Sequence, residues 1–257
     1  MTDGPPQPPP AFLDPASLVF PARVVEVRPT GIVLSQSRFV PESAERQSDA
    51  GRIDDILIAG VSRGADGELV HHLADPRLLG SVDPGRQVRA EIDPRRRANL
   101  SRLHSALHLL WFAYQTIHRS PARRLGRRVD VVSARLEVPR PDGTATVAAP
   151  TASPTAPNEA QANEAEAATA AAAAADCEAE AAALAGWLRR AVAADLRIDH
   201  VQGGSPNRLH WVVDGIGSVA CLGPHPPSTG AVGPLAVTVE ELDVDRLTLT
   251  ARLATRW

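Results

Sequence analysis

Leu100-Ser101-Arg102-Leu103-His104-Ser105-Ala106-Leu107-His108-Leu109-Leu110-Trp111-Phe112-Ala113-Tyr114 is the stretch on which the reading of this chain turns. Leu100, Leu103, Leu107 and Leu110 recur at helical spacing, which predicts an amphipathic helix. His104 and His108 then stand one turn apart on one face, roughly 5–6 Å between Cβ atoms. Two imidazoles so placed can converge on one metal ion, with Zn–N bonds of about 2.0–2.1 Å. Zinc usually takes three or four protein ligands, so the pair alone is half a site, and its plainer reading is two surface or core histidines that happen to fall at that spacing.

Downstream of the helix the expected stop is His118-Arg119-Ser120-Pro121. Upstream, Asp93-Pro94 opens it, and Arg95, Arg96, Arg97 and Arg102 crowd its first turns. Those arginines read either as a solvated charged face or as a phosphate-contacting patch. Residues 18–93 read as a small β-rich unit, a run of short strands punctuated by turns at Pro29-Thr30-Gly31 and Gly64-Ala65-Asp66-Gly67. Arg38-Phe39-Val40 is expected to close its sheet, and Arg52 to Val61 to form one strand. His71 and His72 are adjacent, point to opposite faces of a strand, and read as structural.

Arg128 to Val138 alternates as a strand, with Thr144 to Val147 as a return strand after a turn at Pro141-Asp142-Gly143. Residues 148–175 are low-complexity Ala/Thr/Pro/Glu and receive no role in the fold. Leu184, Trp187, Leu188, Ala191, Val192 and Leu196 mark a second helix, expected to pack on a sheet. Strands follow at Asp199 to Val201, Asn207 to Val213 and Ile216 to Ala220. The last of these runs directly into Cys221-Leu222-Gly223-Pro224-His225 in a Gly/Pro turn. A helix-borne His-x-x-x-His and a turn-borne Cys-x-x-x-His together supply His104, His108, Cys221 and His225, a donor set suited to Zn2+.

The composition narrows the field. The 257 residues suffice for one large domain or two small ones. The net charge of −3 does not announce a nucleic-acid binder, and every basic residue is arginine. Two cysteines make no disulfide framework and fit a reducing cytosol. Residues 1–17 form a Pro-rich tail expected to be disordered, without the features of a signal peptide. No run approaches the roughly 20 apolar residues of a membrane span. The chain is expected to be soluble and cytoplasmic, with no membrane and no DNA partner.

The two histidine-bearing motifs, with Ile92-Asp93 and the arginines ahead of the first, resemble the editing domain shared by alanyl-tRNA synthetases, threonyl-tRNA synthetases and free-standing alanyl-tRNA editing proteins. The resemblance covers about residues 18–251, and Cys221 to Gly230 and Gly233-Pro234-Leu235 carry it at the C-terminal end. It implies an α+β fold: a small N-terminal β-barrel-like unit over 18–93, then an α/β two-layer editing domain over 94–257 with a metal-bearing helix. It also implies a free-standing, Zn2+-dependent deacylase of mischarged tRNA, seryl esters first, whose partner is the aminoacylated tRNA 3′ end.

From the same resemblance Asp49 and Thr229 are candidate catalytic residues and Arg46, Gln47 and Ser228 candidate substrate contacts, beside the candidate phosphate contacts Arg95, Arg96, Arg97 and Arg102 already named; Ser228 and Thr229 read equally as turn-capping residues. The chain departs from the family at Ser43-Ala44-Glu45-Arg46, where the family carries consecutive glycines and a glutamine. Glycine lets a backbone approach its substrate closely, so side chains here reshape or occlude the pocket. Four protein ligands also describe a closed metal site, in tension with catalysis. A non-catalytic tRNA-binding module, and a specialised-metabolism deacylase for an unusual aminoacyl-tRNA, therefore remain alternatives.

Overall fold

The computed structural model describes residues 18–121, 123–141, 159–203 and 209–254. The Pro-rich tail, the Thr144 to Val147 strand, and residues 148–158 of the low-complexity segment lie outside them. The fold is mixed α+β. Six antiparallel strands, β1 (Val19–Arg28), β2 (Gly31–Leu34), β3 (Gly51–Ile53), β4 (Ile56–Arg63), β5 (Leu69–Leu73) and β6 (Gln87–Ile92), close into a barrel in the order β1-β2-β5-β4-β3-β6. Alternation builds it: in β1 Phe20, Ala22 and Val24 point inward, and Ile32, Ile53, Ile58, Val88 and Ile92 meet them. His71 is fully buried in this barrel, with Nδ1 3.1 Å from the Ile32 carbonyl and Nε2 2.8 Å from Ser37 Oγ. His72 faces the other way and meets Ser62 Oγ at 2.7 Å.

Two strand expectations are corrected. Arg38-Phe39-Val40 is a loop, because side chains replace the ladder: Ser37 Oγ accepts from the Phe39 amide and Asp49 from the Val40 amide. Arg52 to Val61 is two strands, since Asp54 adopts a left-handed φ of 49° and turns the chain.

α1 (Pro94–His118) begins where Asp93 accepts from the amides of Arg95 and Arg96, and Pro94 occupies the first turn. It ends at Arg119, whose left-handed φ is 50°. The expected amphipathic face is absent: from Leu100 to Leu110 every residue except half-buried His104 is buried. Two of the polar side chains there find internal partners. Arg102 Nε donates to the Val232 carbonyl at 2.7 Å, and Ser105 Oγ meets His225 Nδ1 at 2.8 Å.

Around α1 lie two antiparallel sheets and a second helix. β7 (Gly126–Val129), β8 (Ser133–Pro139), β12 (Leu235–Asp243) and β13 (Arg246–Leu253) form one sheet in the order β12-β13-β8-β7. β9 (Asp199–Gln202), β10 (Leu209–Val213) and β11 (Gly217–Ala220) form the other, ordered β11-β10-β9. The expected single strand over Arg128 to Val138 is thus a hairpin, turned at Asp130, whose carboxylate accepts from the amides of Val132 and Ser133. α2 (Glu159–Ala193) runs for 35 residues and absorbs part of the segment given no role in the fold. Residues 166–172 are exposed, so alanine helix propensity rather than packing sustains that part, and among the described side chains of α2 the first buried one is Leu184. From Leu184 to Ala191 it packs into the cluster formed by α1, Leu136, Leu249 and Trp211.

Candidate metal centre

His104 and His108 come from the middle of α1, His108 buried and His104 half-buried. Cys221 and His225 come from the turn after β11, held by a bond from the Cys221 amide to the Leu209 carbonyl at 2.9 Å. One ligand atom from each of the four lies within 4.8 Å of all the others. Cys221 Sγ stands 3.3 Å from His104 Nε2 and 3.2 Å from His225 Nε2. Bond lengths of about 2.3 Å to sulfur and 2.0–2.1 Å to nitrogen require S···N edges near 3.6 Å in a tetrahedron, and these two edges lie close to that value.

The donors fit a metal on a further ground. Both ring nitrogens of His108 and Nδ1 of His104 are buried without a hydrogen-bond partner among the described residues. An orphaned buried imidazole is costly unless something ligates it. Burial holds His108 down to about 3 and holds His104 and His225 well below their usual range, so all three imidazoles are neutral and able to ligate. Burial also pushes the Cys221 thiol up to about 12; bound metal reverses that by deprotonating it. Trp211, fully buried, packs its ring 5.2 Å from His108 and walls off the inner side.

Beside the four ligands opens a cavity of about 340 Å³, lined by Val40, Arg46, Leu107, Arg127 and Val129 among others. Of the expected substrate contacts only Arg46 reaches it. Asp49, expected as catalytic, is 1% exposed and ion-paired with Arg97, Oδ2 to Nη2 at 2.5 Å. That pair bolts α1 to the loop joining β2 to β3, and Arg97 also donates to the Arg38 carbonyl at 2.8 Å. Thr229, the other expected catalytic residue, is fully buried. Its hydroxyl donates to the Ala191 carbonyl at 2.6 Å and accepts from the Leu196 amide at 2.8 Å, closing the end of α2. Ser228 bonds Asp195 at 2.5 Å.

Of the arginines at the head of α1, Arg97 and Arg102 are buried, so neither presents a guanidinium to solvent. Arg96 donates to the Ser48 carbonyl at 2.8 Å and to Gln47 Oε1 at 3.4 Å; Arg95 is exposed. The structure adds Ser105, Arg127 and Trp211 to the site. No local pattern marks them, since each matters only through what the fold brings to it.

Three imidazoles and a thiol meeting at one buried point define a centre that could hold a borderline metal ion such as zinc, set beside an open cavity. The chain has homologues among alanyl-tRNA synthetases and an alanyl-tRNA editing protein, at low identity. It is 30% identical over 127 residues to the alanine–tRNA ligase of Methanothermobacter thermautotrophicus, covering 49% of this chain and 14% of the ligase. It is 32% identical over 88 residues to the alanyl-tRNA editing protein AlaX-M of Pyrococcus horikoshii, covering 34% of this chain and 39% of that protein. The match to the alanine–tRNA ligase of Halobacterium salinarum runs over 233 residues at 27% identity, 87% of this chain and 23% of the ligase. The chain thus spans well under half the length of these relatives. No family model matches it.

Proposed function

We propose that the chain is a metal-dependent deacylase of mischarged tRNA in the alanine system. The observation that carries this reading is the convergence of His104, His108, Cys221 and His225 beside a cavity large enough for an aminoacyl group. The similarity to an alanyl-tRNA editing protein supports it. Zinc is the ion that the three nitrogens and one sulfur favour. When bound, it supplies Lewis acidity toward the ester carbonyl or toward a water. In the hydrolysis, water oxygen bonds to the acyl carbon, the bond to the ribose oxygen breaks, and that oxygen leaves with a proton as a 3′-terminal hydroxyl.

The chain's own residues orient the substrate and exclude solvent. Val40, Leu107 and Val129 give the cavity apolar walls. The tRNA backbone is best served by the outer face of the β7–β8–β13 sheet. There Arg128 lies directly opposite Arg135, which lies opposite Thr250, and Arg252 follows two residues along. All three arginines are exposed and form no ion pair among the described residues, whereas nearby Arg127 pairs with Glu45 and Arg246 with Asp243. Like charges directly opposed across a sheet are destabilising unless an anion bridges them. This row joins the cavity through Val129, which is hydrogen-bonded to the cavity loop at Glu45 and Gln47.

Deacylation of a panel of mischarged tRNAs, with and without chelator, tests the reading. Chelator-sensitive acceleration of any ester is the expected result. Salt-dependent tRNA binding with no acceleration would favour instead a non-catalytic binding module, the alternative that the Arg46 side chain in the cavity makes worth testing.

A further inference from the structure

The departure at Ser43-Ala44-Glu45-Arg46 is a built element of the cavity. Ser43 and Arg46 exchange backbone bonds, 2.9 Å from the Ser43 amide to the Arg46 carbonyl and 3.3 Å in return, with Ala44-Glu45 at the tip. The Val129 amide donates to the Glu45 carbonyl at 2.8 Å, and the Gln47 amide to the Val129 carbonyl at 3.0 Å, which stitches the turn to β7. Glu45 Oε2 meets Arg127 Nε at 2.6 Å, so those two charges cancel. Asp49 is taken by Arg97.

Arg46 is left without a carboxylate partner among the described residues. Its Nε is buried and lacks any hydrogen bond. Its guanidinium lies against Gly223 beside the metal ligands: a Cβ on Gly223 would fall 2.8 Å from His104 Cε1 and closer still to Arg46 Nη1. Gly223 thus leaves just enough room for the guanidinium to reach the ligand group.

We infer that the acyl group this cavity takes carries a carboxylate, as aspartyl and glutamyl groups do, and that Arg46 is the residue that selects it. The inference rests on the deacylase reading and changes its expected substrate from serine. A guanidinium does not shed its proton, so its desolvation is best offset by an anion, and its planar fork matches a carboxylate. Two other anions of the substrate fit less well. An oxyanion exists only as the ester is attacked, leaving Arg46 unpartnered in the bound ground state. A backbone phosphate is common to every acylated tRNA and has the exposed arginine row for a partner. Net charge points the same way. A seryl group carries one positive charge, its ammonium, toward Arg46 and the metal, whereas an aspartyl group carries none in sum.

The test compares aspartyl, asparaginyl and seryl esters of one tRNA on the parent, Arg46→Ala and Arg46→Lys, with zinc content measured on each. A second readout is calorimetric binding of hydrolysis-resistant 3′-amide analogues, aspartyl- and asparaginyl-aminoadenosine. The parent should favour the aspartyl ester and amide over the asparaginyl by on the order of tenfold, the scale of one charge-assisted pair. Arg46→Ala should erase that ratio, and Arg46→Lys should keep part of it. Equal or faster turnover of the asparaginyl or seryl ester by the parent overturns the inference while leaving the deacylase reading intact. So does a uniform loss across all esters in Arg46→Ala, which would assign Arg46 to a phosphate or an oxyanion. No measurable binding of either amide also overturns it. Carboxylate-dependent binding without hydrolysis of any ester retains the role of Arg46 and removes the deacylase.

Discussion

Ser105 Oγ lies 2.8 Å from His225 Nδ1, so the residue after one helix ligand holds the far nitrogen of the turn-borne ligand. His225 Nε2 faces the Cys221 thiol, which leaves Nδ1 to donate to Ser105 when the ring ligates. Helix and turn are therefore coupled by a hydrogen bond as well as by any ion between them. Ser105→Ala removes this support without creating a large void. It should lower zinc affinity about 10–100-fold, the usual effect of losing an outer partner of a metal-bound histidine, while the fold persists. Competition with a chromophoric chelator reads the affinity; an unchanged value would show that Ser105 does not orient the ring.

Asp49 separates structure from chemistry. Its carboxylate is buried against Arg97 and also takes the Val40 amide at 2.6 Å. Asp49→Ala leaves a buried guanidinium without its counter-charge, which should cost about 3–5 kcal/mol. Urea unfolding reads this cost. Lost activity with an unchanged unfolding midpoint would return Asp49 to the reacting groups.

What is legible in the sequence, and what is not, follows from the range of the interactions. His-x-x-x-His and Cys-x-x-x-His are short spacings that local structure turns directly into geometry, so the four candidate ligands that meet at one point can be picked out. The barrel strands are legible by alternation. Arg97 and Thr229 leave two readings open in the sequence because their partners, Asp49 and Ala191, lie 48 and 38 residues away, and charge or hydroxyl in a loop looks the same whether it meets substrate or protein. Arg38 to Val40 carries strand-like residues, yet Ser37 and Asp49 take its amides. The burial of α1 on all sides is hidden because its polar residues mimic a solvent face.

His71 sets an acid limit on the barrel. Burial holds it down to about 4 from an ordinary value of 6.5, and the Ile32 carbonyl and Ser37 hydroxyl are satisfied by its neutral form. The unfolded chain binds this proton below pH about 6.5 and the folded chain only below about 4. The stabilisation is thus fully present above pH 6.5 and is lost as pH falls from there toward 4, by about 3 kcal/mol in all. Urea midpoints of the zinc-free parent should fall across that window, and those of His71→Gln should fall less. Parallel curves would remove His71 from the acid response.

Residues 150–172 should be dispensable to the core. α2 begins within them, but residues 166–172 are exposed, and among the described side chains its anchors are Cys177, Ala181 and Leu184, further along. An exposed helical extension adds little beyond its own propensity. Deletion should preserve cooperative unfolding and zinc content, with a change in stability within about 1 kcal/mol. Loss of cooperativity would mean that the extension supports the helix that packs against Trp211.

The arginine row yields a prediction independent of any turnover. Arg128, Arg135 and Arg252 are exposed, and the first two are opposed across neighbouring strands. Removing one arginine–phosphate interaction should flatten the slope of log affinity against log salt by about 0.7–0.9. Arg128→Ala with Arg135→Ala should therefore weaken tRNA binding at low salt and lower the slope by about 1.4–1.8. Relief of like-charge repulsion in the free protein should leave the double variant at least as stable as the parent. Arg95→Ala, at the head of α1, serves as the comparison, since that residue is exposed but stands apart from the row. If Arg95→Ala alone reduces the slope while the double variant does not, the nucleic acid approaches over the helix N-terminus and the sheet face is not its track.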